Sequence, residues 1–134
     1  MARSKAVPGE KALFWVGSAK VGSTKDDLLV FPEAVKDAIG VALSVAQFGG
    51  KHPKAKPWKG TGPGVFEIVA DYSNDTYRAV YTVKFEHAVY VLHGFQKKSP
   101  KGRATAQSDV ELISRRLKAA AEDHEARYGE RQKH

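Results

Sequence analysis

Apolar positions in this chain fall into runs of strand-like and helix-like period, separated by stretches rich in glycine and proline. From Val65 to Tyr72 the pattern alternates: Phe66, Ile68, Ala70 and Tyr72 share one face, and Val65, Glu67, Val69 and Asp71 share the other, as a pleated strand requires. Ser73-Asn74-Asp75 supplies a reversal. Alternation then resumes, with Tyr77, Ala79, Tyr81 and Val83 on one side and Arg78, Val80 and Thr82 on the other. After a connection at Phe85-Glu86-His87, Ala88 to Phe95 is almost continuously hydrophobic, which suits the interior of a sheet. The three runs predict an antiparallel meander whose last strand ends in the cationic cluster Lys97-Lys98.

Flanking segments add a strand and two helices. Ala12 to Val16 is a short aromatic run that reads as a first strand, followed by a glycine-punctuated connection to Lys25. Asp26 and Asp27 suit a short helical turn. Phe31-Pro32-Glu33 marks a second helix start, because proline is favoured at an early helical position. Val35, Ile39, Ala42, Leu43, Ala46 and Gln47 then recur at helical spacing up to Gly49-Gly50, a suitable C-terminal stop. Gly40 within this helix reads either as a surface position or as a point of close packing. Lys51 to Gly64 is too rich in proline and glycine for a helix or an interior strand. Downstream, Gln96 to Gln107 forms a basic turn. Val110, Ile113, Leu117 and Ala120/Ala121 outline an amphipathic helix that reaches about Arg127, before a tail from Gly129 to His134.

A length of 134 residues fits one domain with a real core and one site. The 22 Lys+Arg against 15 Asp+Glu leave a net charge of +7, which favours polyanions or an acidic partner. The absence of cysteine excludes disulfides, thiol catalysis and cysteine-ligated zinc, and is compatible with a cytoplasmic address. Met1 to Glu10 has no continuous apolar stretch of the kind that directs secretion. Nor does the chain contain the roughly 18 consecutive apolar residues of a membrane-spanning helix.

Nucleotide-fold and phosphate-loop fingerprints are missing, as is the paired-histidine zinc motif, so neither a cofactor nor a metal is expected. Asp71 and Asp75 flank a turn, where solvated acids are ordinary. The chemistry therefore falls to basic and aromatic residues. Metal-free cleavage of RNA needs a base for the 2′-hydroxyl, charge stabilisation at the phosphoryl oxygens and an acid for the leaving oxygen. Arg78, on a central strand, suits a phosphate clamp; it also stands where it can pair with Glu67 across the strands. His93 suits proton transfer, although it shares the parity of Val89 and Val91 and so also reads as a core histidine. Lys97 and Lys98 suit phosphate binding or proton exchange. Lys54, Lys56 and Lys59 in the Pro/Gly loop, with Lys101 and Arg103 in the basic turn, are positioned to hold a polyanion. Trp58 either anchors its loop or offers a stacking face. Phe95 could stack a base, whereas Tyr81 is in register with Ala79 and Val83 and fills the core.

Three sequence words, K-P-W-K-G-T-G-P-G-V-F-E-I from Lys56, Y-R-A-V-Y from Tyr77 and V-Y-V-L-H-G-F-Q-K-K-S from Val89, resemble the HigB-like, phage-derived toxins of the RelE/ParE superfamily. That resemblance implies an α+β, RelE-like single domain with N-terminal helices against a small antiparallel sheet. It implies a toxin of a type II toxin–antitoxin system that cuts mRNA on the ribosome, with Arg78, His93, Lys97 and Lys98 catalytic. Lys54, Lys56, Trp58, Lys59, Phe95, Lys101 and Arg103 would then bind RNA. The implied partners are the ribosome, mRNA and a helix-turn-helix, HigA-like antitoxin. A gyrase-directed or noncatalytic toxin and a plain nucleic-acid-binding module are the alternatives. The long C-terminal helix departs from the superfamily pattern, which often places a short strand or a catalytic tyrosine there. Tyr128 lies too near the tail for that role.

Overall fold

The alternating segments form the centre of a five-stranded sheet, in a computed structural model that describes residues 8–18, 22–97 and 107–129. The elements in chain order are β1 (Ala12–Trp15), β2 (Gly17–Ser18), β3 (Gly22–Ser23), α1 (Thr24–Leu29), α2 (Glu33–Gln47), β4 (Ala55–Pro57), β5 (Val65–Tyr72), β6 (Asp75–Thr82), β7 (Ala88–Lys97) and α3 (Gln107–His124). A π-helical turn, Glu125–Gly129, extends α3. The large sheet has the order β1-β7-β6-β5-β4, and β2 pairs only with β3. The protein is thus α+β, with N-terminal helices on the sheet and a C-terminal helix.

Four strands of the sheet are antiparallel, but β1 joins β7 in parallel, from Ala12 opposite Ala88 to Trp15 opposite Val91. The sheet is therefore mixed where the sequence suggested a purely antiparallel one. Parallel pairing is possible because the whole intervening chain serves as the crossover. Within the Pro/Gly loop, Ala55–Pro57 adds a short edge strand against β5, and edge placement tolerates its proline. The β5–β6 reversal is a two-residue hairpin: Tyr72 faces Asp75, while Ser73 and Asn74 adopt φ of 51° and 69°. Positive φ at both central residues matches the twist of the flanking strands.

Pleating sends side chains into two cores. Ile68, Ala79, Tyr81, Val89 and Val91 pack against Val35, Ile39 and Leu43 of α2, as the helical spacing of α2 predicts. Tyr81 is a core residue; burial pushes its phenol up to about 12. On the opposite face Val65, Val80, Tyr90 and Leu92 pack against Ile113 and Ala120 of α3. Gly40 does not mark close packing, since a Cβ there would meet nothing within 4 Å. Gly94 does: a Cβ would lie 2.5 Å from Leu28 Cδ2, so its bare backbone lets α1 sit against β7.

One irregularity redirects the last strand. Val80 faces His93 while Tyr81 faces Val91, so Leu92 is an extra residue on β7. This bulge places Leu92 and His93 on the same face and changes the parity beyond it. His93 therefore points toward α3, away from the face of Val89 and Val91, contrary to simple alternation.

Thr24 and Arg116 tie the two layers together. The Thr24 hydroxyl donates to the Val16 carbonyl at 2.7 Å, and Arg116 Nη1 donates to the Thr24 hydroxyl at 3.2 Å and to the Leu92 carbonyl at 2.9 Å. Arg116 thus satisfies a strand carbonyl at the bulge, just past the last β1–β7 pair. Burial holds its pKa below the usual arginine value, with Asp27 opposing that shift. Among the described residues no helix is long and apolar enough to cross a membrane.

Candidate functional site

The bulge and the edge strand converge on a groove on the α3 side of the sheet. Lys56 and Glu67 are register partners on β4 and β5 and therefore project to the same face. Trp58 and Lys59 follow β4 directly, and the Trp58 backbone N–H donates to the Val65 carbonyl at 2.8 Å, which fixes the start of the loop. Gln107 and Val110, in the first turn of α3, close the opposite wall. Lys56, Trp58, Lys59, Glu67, Gln107 and Val110 line a space of about 760 Å³. Two other cavities, near Phe14 and Arg127 and between α1 and α2, hold about 210 and 140 Å³. The groove is larger than either by several-fold.

Arg78 is not in the lining. Its guanidinium forms a part-buried ion pair with Glu67, so the cross-strand pairing seen as one possibility in the sequence is realised. Arg78 Nε is buried without a partner. Glu67, paired with Arg78, is itself among the residues that line the groove. Glu67 is thus a site residue that the sequence reading treated only as the partner of Arg78.

His93 is also set back. Its Nε2 lies 2.8 Å from Asp109 Oδ1 on α3, and its ring stacks on Phe95 with centroids 4.9 Å apart. The side chain is 9% exposed, and Nδ1 is buried with no partner. In this geometry the imidazole docks the first turn of α3 onto β7 and positions the groove wall. Phe95, half-buried, spends one ring face on that stack.

Trp58 is buried in the α3-side core, so it anchors its loop and has little ring face to offer a base. Its indole N–H has no partner. Lys54 lies in the turn before β4, where its backbone N–H donates to His52 Nδ1 at 3.1 Å, and it is outside the groove lining. Lys97 ends β7 opposite Thr76. Lys98, Lys101 and Arg103 lie outside the described residues. The structure therefore brings together Lys56, Trp58 and Lys59 from the sequence-derived set, with Arg78, His93 and Phe95 in supporting positions. Gln107, Asp109 and Val110 were missed because nothing in a helix start indicates which strand it will meet. Among the described residues no group of three or more His, Cys, Asp or Glu side chains is arranged to hold a metal ion.

A second polar cluster lies at the far end of α3. Tyr90 and Arg127 both donate to Asp123 Oδ2 at 2.7 Å, and the Arg127 guanidinium sits 4.0 Å from the Phe14 ring centroid. Burial raises the Asp123 pKa, but hydrogen bonds from Tyr90 and Arg127 outweigh it and leave the carboxyl below its usual value. Asp123 Oδ2 thus takes both donors, while the Arg127 and Asp123 side chains stay 48% and 39% exposed. These bonds brace the C-terminal end of α3.

Comparison with known proteins corrects the resemblance drawn from the sequence words. A family model described as Phage derived protein Gp49-like (DUF891) matches residues 26–118. All three quoted words fall within that span, so their order and spacing belong to this family, and the assignment to HigB-like RelE/ParE toxins is withdrawn. The toxin–antitoxin and endoribonuclease descriptions drawn from it fall as well. No curated protein and no solved structure matches the chain. Since the match covers most of α1, all of α2, strands β4 to β7 and most of α3, well over half of the chain, the protein belongs to the phage derived Gp49-like family.

Proposed function

We propose that the protein is a binding module for single-stranded nucleic acid, with the groove between β4, β5 and the start of α3 as its seat. The observation that carries this reading is the convergence of exposed Lys56 and Lys59 on one groove lined also by Trp58 and Val110. Lysines supply mobile point charges for phosphates, and an apolar wall accepts sugar and base surface. A space of about 760 Å³ suits one or two nucleotides and is too small for a duplex. The +7 net charge draws a polyanion toward the protein before the groove orients it. A ribosomal or gyrase target and an antitoxin partner followed from the withdrawn resemblance, and the groove reading requires neither these nor cleavage of the RNA.

Fluorescence anisotropy with a labelled RNA of about twelve nucleotides, titrated from about 50 to 200 mM salt, tests the reading. The affinity should fall as salt rises. Lys56→Ala and Lys59→Ala should each weaken binding and reduce the log–log salt slope by about 0.7, the value for one lost single-strand phosphate contact. Absence of binding at the lowest salt, or a double variant that binds like the wild type, refutes it.

A further inference from the structure

The sequence points to Arg78 as the group that meets a phosphate, but the structure puts a carboxylate in its place. Glu67 lines the groove and Arg78 does not, while the Arg78 guanidinium grips Glu67 from within the sheet. A carboxylate repels phosphate, so a groove flanked by lysines for the backbone needs another use for an oriented anion at its wall. An ionised carboxylate is an acceptor-only group with about four lone-pair sites. Arg78 Nη1 engages Oε1, which leaves Oε2 and part of Oε1 to receive donors from a ligand.

We propose, building on the single-strand reading, that Glu67 reads guanine: its two oxygens accept hydrogen bonds from the adjacent N1–H and 2-amino groups of one base. Of the four RNA bases, guanine alone presents two neighbouring donors on its Watson–Crick edge. Adenine and cytosine present an amino group beside a ring nitrogen lone pair, which a carboxylate repels. Uracil flanks its single N–H with two carbonyl oxygens. Unpaired bases expose these edges, and single-strand readers recognise them there. The ion pair with Arg78 keeps the carboxylate in one position, so selectivity does not have to await its ordering on binding. In the same wall, the buried Trp58 indole N–H is a donor with no protein partner, and guanine carries its O6 acceptor beside N1.

Anisotropy with four oligouridines of about twelve nucleotides, carrying a central guanosine, inosine, adenosine or uridine, separates the claims. The guanosine strand should bind about 5- to 100-fold more tightly than the uridine strand, the range expected of a bidentate base contact. Inosine, which lacks the 2-amino group, should lose most of that gain, and adenosine should show none. Glu67→Gln replaces one acceptor by a donor and should collapse the guanosine-to-uridine ratio toward one, with its fold checked by circular dichroism. Binding of all four strands within about twofold overturns guanine reading and leaves single-strand binding intact. Persistence of the guanosine preference in a folded Glu67→Gln protein overturns the role of Glu67. Absence of binding to every strand overturns both proposals. The wild-type series decides the base preference even if the variant does not fold.

Discussion

The two faces of the sheet are built on different principles. Toward α2 the buried contacts are apolar, with Ile68, Tyr81 and Val91 meeting Val35, Ile39 and Leu43. Toward α3 a comparable apolar set is interrupted by Glu67–Arg78, His93–Asp109 and the Arg116 contacts. Apolar packing is non-directional and tolerates some sliding, whereas hydrogen-bonded ionic groups fix an angle and a register. The first face supplies burial. The second sacrifices some of it to set α3 at one position against β7, and the groove opens beside those fixed contacts. Desolvated charges give a poor return in stability, so their concentration on the groove side marks where orientation matters.

The largest test of this contrast is Leu43→Ala on α2. A cavity in the apolar layer should cost about 2–5 kcal/mol of unfolding free energy, read from urea denaturation. RNA affinity of the folded fraction should be unchanged, because the groove lies across the sheet; a large loss of affinity at equal folding would mean the faces are not independent.

Arg116→Met should cost less, about 1–3 kcal/mol, since it keeps the aliphatic stem but leaves the buried Leu92 carbonyl and Thr24 hydroxyl short of a donor. Amide hydrogen exchange should then rise around Leu92 and in the adjacent turns of α3 before it rises in α2. Uniform acceleration across both helices would count against a localised tie.

Smallest is a pH effect at the far end of α3. His124 stacks on Phe85 and His87, and its Nε2 accepts from the His87 backbone N–H at 3.2 Å. Burial, then the neighbouring His87, lowers its pKa from 6.5. The folded state therefore binds this proton less readily than the unfolded state. The stabilisation is complete above the unfolded value and declines as pH falls through 6.5 toward the lower folded value. Between about pH 7.5 and 5.5 the wild-type Tm should fall more steeply than that of His124→Gln. Equal slopes would remove His124 as the titrating group.

Much of the scaffold is legible in the sequence because its signals are local. Alternation locates β5 and β6, helical spacing finds the buried stripe of α2, and Ser73-Asn74 marks the hairpin. The C-terminal helix is apparent from Val110, Ile113 and Leu117. What escapes depends on pairing at a distance. No local feature shows that Leu92 is an extra residue opposite Val80 and Tyr81, yet that residue moves His93 to the other face. Similarly, the three-residue strand β4 exists only because β5 offers it an edge. Basic residue types flagged Lys56 and Lys59, but the groove depends on Glu67 and the α3 start, whose relevance comes from cross-sheet assembly.

The parallel pairing of β1 with β7 also sets an order for assembly. Ala12 must meet Ala88, so a strand near the beginning of the chain waits for one made after both N-terminal helices and the first hairpin. Such distant closure is slow relative to forming the β5–β6 hairpin. While the chain is being synthesised, Leu13, Phe14 and Trp15 stay a hydrophobic segment without its strand partner until β7 has emerged. The vulnerable moment in the life of this protein therefore comes before the polypeptide is complete, and crowding or premature termination then exposes a ready site for aggregation.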